Sequence, residues 1–94
     1  MTVEITAVDI LGAGPGNMND PLARALQRVT SKKGWHTDVF SHGHRLATGL
    51  AWLPKSSEEY WIDEGTTHAL QEFDLNVPPF SPRSVVLTRL KETI

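Results

Sequence analysis

Asp9-Ile10-Leu11-Gly12-Ala13-Gly14-Pro15-Gly16-Asn17, followed by the pair Asp20-Pro21, is the stretch on which the fold of this chain turns. Glycines and a proline so closely set end any strand that enters them, because glycine accepts positive φ and proline offers no ladder N–H. Asp20 is then a good N-cap and Pro21 suits the first helical position, where a missing N–H costs nothing. Leu22, Ala25, Leu26 and Val29 follow at i, i+3, i+4 and i+7, one apolar stripe, while Arg24, Gln27, Arg28 and Ser31 face away. Lys32 and Lys33 favour the negative end of that helix, and Gly34 fits a left-handed C′ position. A glycine loop feeding a capped helix can carry bare backbone N–H groups to a ligand, beside the positive end of the helix. Gly12, Gly14, Gly16 and Asn17 are therefore the candidate ligand-binding residues; the plainer reading is a connection that simply needs positive φ.

Upstream, Thr2–Leu11 reads as one strand: Val3, Ile5 and Ala7 alternate with polar residues, and Val8 and Ile10 make the other face apolar, as in a central strand. Downstream, a two-residue turn at His42-Gly43 predicts a hairpin in which Val39 faces Leu46, Thr37 faces Thr48 and Trp35 faces Leu50. Trp52 then joins that face, and His36, Asp38, Phe40, Arg45, Ala47 and Gly49 take the other. Over 56–74 two readings stand. Ser56 and Glu59 have the spacing of a capping box that opens a helix carrying Ile62, Thr66, Ala69 and Phe73. Gly65 interrupts it, and the alternative is a short strand Tyr60–Asp63 before a helix Thr66–Asp74. Leu75–Pro82 is a proline-rich connection. Ser84–Leu90 is β-branched and reads as strand, against a helix bearing Val86, Leu90 and Ile94.

The order β-α-β-β-α-β is that of an α+β, ferredoxin-like fold: a four-stranded antiparallel sheet with two helices on one face. Its bare face, lined in part by Phe40, Ala47, Ala51 and Leu53, needs cover, which self-association through the sheet face in a homodimer would supply.

Composition limits what such a domain can do. The 94 residues suit a single globular domain spanning 1–94. Nine basic and eleven acidic side chains give a net charge of −2 with no basic block, which argues against nucleic acid as a partner. The absence of cysteine excludes disulfides and thiolate chemistry. No apolar run approaches the ~20 residues of a membrane helix, so no membrane partner and a cytoplasmic location are expected.

His36-x-Asp38 and His42-x-His44 have the look of a metal box, but the strand between them spreads these groups along about 20 Å, and no metal is expected. His36 and Asp38, two apart on one face, are the candidate acid/base couple, with a solvated polar pair as the plainer alternative. Gly12-Ala-Gly-Pro-Gly16 is not a dinucleotide fingerprint, because Asn17 stands where the third glycine belongs. Trp61, beside Tyr60, is placed either to stack a flat heterocycle or to pack in a core or interface.

Val3-Glu-Ile-Thr-Ala7, Leu11-Gly-Ala-Gly14, Leu22-Ala-Arg-Ala-Leu26 and Ser84-Val-Val-Leu-Thr88 together resemble segments of a family of small ferredoxin-like proteins that bind thiamine or its pyrimidine moiety. The resemblance implies a flat heterocyclic ligand; the local physics implies an anionic or carbonyl group. The expectation is a non-catalytic, oligomeric small-molecule-binding domain without cofactor, its ligand between the glycine loop and the helix start with Trp61 as a stacking wall. Two other classes compete: a protein-interaction module, of small-inhibitor or antitoxin type, and a dimeric α+β-barrel enzyme using His36 and Asp38.

Overall fold

The computed structural model describes residues 1–14, 16, 18–42, 45–74 and 80–90. Its elements are β1 (Thr2–Ile5), α1 (Ala7–Leu11), α2 (Pro21–Thr30), β2 (His36–His42), β3 (Arg45–Leu53), β4 (Glu58–Ile62), α3 (Glu64–Asp74) and β5 (Arg83–Arg89), with a single 3₁₀ turn at Pro54–Ser56.

The ferredoxin-like expectation is overturned. The sheet has five strands, not four, in the order β1-β5-β4-β3-β2, and three helices accompany it. Every neighbouring pair is antiparallel, so β1 and β2 run parallel at opposite edges and the α1–α2 crossover passes three intervening strands. A split βαβ unit leaves room for only one.

Three local causes account for the difference. First, the expected strand Thr2–Leu11 stops at Ile5, and the next residues coil into α1. Thr6 and Asp9 form a reciprocal capping box: the Thr6 N–H donates to Asp9 Oδ2 at 2.9 Å, and the Asp9 N–H to Thr6 Oγ1 at 3.5 Å. The short strand becomes an edge rather than a centre. Val8, assigned to a covered face by alternation, is 73% exposed, while Asp9 is 4% exposed.

Second, residues 58–62 form β4, in which Tyr60 and Ile62 are buried and Glu59 and Trp61 exposed, a period of two. Ser56 and Glu58 close a turn instead of opening a helix: the Ser56 hydroxyl donates to Glu58 Oε2 at 2.8 Å, and Ser57 takes a left-handed φ of 56°. Asp63 then starts α3, its Oδ1 accepting the Thr66 N–H at 2.8 Å. This is the strand-then-helix alternative for 56–74, with the helix beginning at Glu64.

Third, β2 and β3 pair in a different register. Val39 lies opposite Gly49, Thr37 opposite Ala51 and His36 opposite Trp52, with an irregularity between Phe40 and His42. The slip from the expected pairing is three residues, an odd number, so it moves one strand's entire set of side chains to the other face. The predicted turn residue Gly43 lies outside the described residues, as do His44 and residues 75–79 of the proline-rich connection.

The 84–90 segment is strand, as its β-branched residues suggest; Ile94 is beyond the described part. Helix α2 begins at Pro21 behind the Asp20 cap but ends at Thr30, where Ser31 rather than Gly34 takes the left-handed C-cap. Gly34, at φ 96°, turns the chain into β2.

All the buried strand residues share one face: Val3, Ile5, Val85, Leu87, Tyr60, Ile62, Ala51 and Leu53, with Thr37 and Gly49 in the same rows. Leu22, Ala25 and Leu26 of α2 and Leu70 of α3 pack on them, with Trp35 and Phe80 completing the core. The other face of the sheet carries no helix among the described residues.

Candidate functional site

The open face is built by the register. One row across the sheet runs Glu59–Trp52–His36, and the next runs Thr88–Trp61–Leu50–Asp38. Phe40 follows beside Thr48 in a third, and Val86 extends the apolar surface on β5. Phe40 is 41%, Trp61 43% and Val86 54% exposed, and they stand on one face of the sheet rather than scattered over the surface. Phe40, Leu50, Ala51, Trp52 and Glu59 line an open concavity of about 260 Å³. That is below the ~300–1,000 Å³ of small-molecule pockets.

His36 and Asp38 both stand on this face, yet they do not form a couple. The imidazole stacks on Trp52, ring centroids 5.3 Å apart and planes inclined by 19°. Its Nδ1 lies 2.8 Å from the Gly34 carbonyl oxygen, which only accepts, so Nδ1 carries a proton. Asp38 Oδ1 accepts the neighbouring Val39 N–H at 2.9 Å. Each group is oriented by its own backbone, and no described nucleophile is bonded to either.

Among the described residues no three His, Asp or Glu side chains are grouped to hold a metal; His68 pairs instead with Glu72 one turn along α3, at 2.7 Å. Among the described residues no helix is long and apolar enough to cross a membrane.

At the glycine loop, the backbone donors are turned inward. Gly12 N–H donates to Val8 O at 3.2 Å, Ala13 N–H to Ile10 O at 3.1 Å, and Gly14 N–H to Asn19 O at 2.9 Å. Gly16, at φ 108°, makes the reversal and accepts the Asn19 N–H at 3.3 Å. The start of α2 is closed by the buried Asp20 carboxylate, which accepts the Ala23 N–H at 2.7 Å and the hydroxyl of Thr37. Asn17 lies outside the described residues. Trp61 stands on the face of the sheet opposite α2, so Gly12, Gly14 and Gly16 are not assembled with it around one cleft.

What sequence reasoning missed is the anchor behind the loop. Arg28, read as a solvated residue, donates from Nε to Asp9 Oδ1 at 3.1 Å and from Nη2 to Asp9 Oδ2 at 3.0 Å and the Glu4 carbonyl at 2.7 Å. Burial alone would raise the Asp9 pKa; the bonds from Arg28 and Thr6 outweigh it and hold the carboxyl below the ordinary range. The readable signal was Thr6-Ala-Val-Asp9, the spacing of a capping box.

Compared with protein-family models, with curated proteins and with solved structures, the chain matches none. Its function is read from the site itself.

Proposed function

We propose that this protein is a non-catalytic binding module that works through the open face of its sheet, and that the occupant of that face is a second copy of the chain. The observation that carries the reading is the apolar set Phe40, Leu50, Trp52, Trp61 and Val86 on the face away from the helices, three of them substantially exposed. Leaving such a surface in water costs about 25 cal/mol per Å², and sheet-on-sheet packing is the arrangement that removes it.

Self-complementarity supports a second copy over another partner. β3 lies between β4 and β2. A two-fold axis along β3 would lay β4 of one protomer over β2 of its partner. Glu59 and His36 occupy the same row on either side of Trp52. Each Glu59 carboxylate would then meet the partner's His36 imidazole, and Trp61 would meet the row of the partner's Asp38, next to that of Phe40: an isologous polar pairing around the Trp52 centre.

Sedimentation and light scattering at neutral pH test this. The wild-type chain is expected at twice its monomer mass, and Leu50→Lys at monomer mass with an unchanged circular-dichroism spectrum. Glu59→Lys and His36→Glu should each loosen the dimer, and the two together should restore it. A wild-type monomer at micromolar concentrations, or a dimer insensitive to Leu50→Lys, overturns the reading.

A further inference from the structure

Opposite the open face, the groove between α1 and α2 holds an unbalanced cluster of cations. Arg24, Gln27, Arg28 and Ser31 stand at i, i+3, i+4 and i+7 on one side of α2, and Lys33 follows the helix end. With Val8 and Asp9 of α1 they line a cavity of about 400 Å³. Three cationic heads face one carboxylate, Asp9, in a chain whose net charge is −2.

The donors are incompletely used. Arg28 commits Nε and Nη2 to Asp9 and the Glu4 carbonyl, which leaves Nη1. Arg24 commits Nη1 to Asn19 Oδ1 at 3.1 Å, which leaves Nε and Nη2. Among the described residues neither Arg24 nor Lys33 has a carboxylate within ion-pair distance.

Gly12 sets the position of the Arg24 head. A Cβ at Gly12 would stand 2.5 Å from Arg24 Nη2 and 2.7 Å from Cζ, so the guanidinium lies flat across the bare glycine. Gly12 itself has ordinary right-handed dihedrals, φ −85° and ψ −6°. The loop therefore needs glycine here for the arginine, not for its own backbone.

We propose that this groove is a binding site for a phosphate-bearing small molecule. The excess of two positive charges matches a phosphate dianion, planar guanidinium groups offer paired N–H donors to its oxygens, and the exposed Val8 supplies an apolar wall for the organic part. The site lies on the helical side of the molecule and does not depend on the sheet-face dimer.

Backbone amide NMR titration with inorganic phosphate and phenyl phosphate, against chloride at matched ionic strength, tests it. Saturable shifts are expected along residues 8–12 and 24–33, with phenyl phosphate binding more tightly than phosphate. Arg24→Gln and Lys33→Gln should each weaken phenyl phosphate about tenfold, the loss of one charge-assisted contact. Gly12→Ala should keep the fold, because only the flexible end of Arg24 must move, and still weaken binding. Shifts equal to those in chloride, or binding unchanged in Arg24→Gln and Gly12→Ala, overturn the proposal. Loss of the dimer in Leu50→Lys with the titration intact separates this site from the sheet face.

Discussion

The Asp63 carboxylate accepts the backbone N–H of Val86 at 2.9 Å, and through that bond one side chain joins β4, β5 and α3. Its Oδ1 takes the Thr66 N–H at 2.8 Å and its Oδ2 the Thr66 hydroxyl at 2.9 Å. An N-cap is worth about 0.5–2 kcal/mol and a bond to a charged acceptor about 1.5–3 kcal/mol. Asp63→Ala should therefore cost about 2–4 kcal/mol in urea unfolding. Asp63→Asn, which keeps one acceptor oxygen, should fall between. An Asn variant as unstable as Ala would show that the second oxygen does all the anchoring.

Acid should loosen the same anchors. At Asp63, as at Asp9, burial opposes ionisation, but the hydrogen bonds win and the folded carboxyl titrates below its ordinary range. A folded pKa below the unfolded one stabilises the native state above the unfolded value, about 3.9 for aspartate, and that contribution disappears as pH falls through the folded value. The melting temperature should be nearly level from about pH 7 to 5 and drop below about pH 4. Arg28→Gln removes the cation that favours ionised Asp9, so its acid transition should begin at higher pH. An unchanged acid limb in that variant would exclude the Asp9–Arg28 pair as a contributor.

How much of this architecture could be read beforehand depended on how local its determinants are. The Asp20-Pro21 start of α2 was legible because the cap and the first turn lie within four residues, and Asp20 bonds Ala23 as the pattern requires. The β2–β3 hairpin was legible as an element but not in register. A turn at His42-Gly43 gives a self-consistent pairing, yet His42 lies opposite Arg45, a shift of two, and the irregularity between Phe40 and His42 adds one more, so the register moves by an odd number. Parity alone then sends Thr48, Leu50 and Trp52 to the open face, so the residues of the candidate surface were named without their side being known. The fifth strand hid behind Ser56-x-x-Glu59, a genuine helix-start spacing that here closes a turn, while the effective cap, Asp63, sat four residues beyond Glu59. The groove between α1 and α2 was out of reach because it depends on a strand ending early at Ile5 and on Thr6 capping a helix.

At Gly49 the Thr67 side chain of α3 presses against β3. A Cβ there would collide with the hydroxyl oxygen of Thr67 and stand 3.1 Å from Ile62 Cβ, and Gly49 is itself buried. Gly49→Ala should destabilise by about 1–3 kcal/mol, the usual cost of overpacking, despite alanine's better backbone entropy. Adding Thr67→Ala should recover part of that loss by opening the space. Additive losses in the double variant would place the strain elsewhere than between β3 and α3.

Trp35 is fully buried, and its indole N–H is satisfied by Thr30 Oγ1 at 2.9 Å, whose own hydroxyl donates to the Leu26 carbonyl at 2.6 Å. The last turn of α2 is thereby bolted to the chain entering β2, under the ring of Tyr60 at 6.1 Å. Thr30→Val keeps the shape but orphans the indole donor in the core, and an unsatisfied buried donor costs about 1–3 kcal/mol. Trp35→Phe removes the donor and part of the ring together, so its loss should come from packing. If the bond matters as drawn, Thr30→Ser should stand near wild type in chemical unfolding while Thr30→Val does not. Moreover, Thr30→Val in a Trp35→Phe background should cost much less than alone, because the donor it strands is already gone.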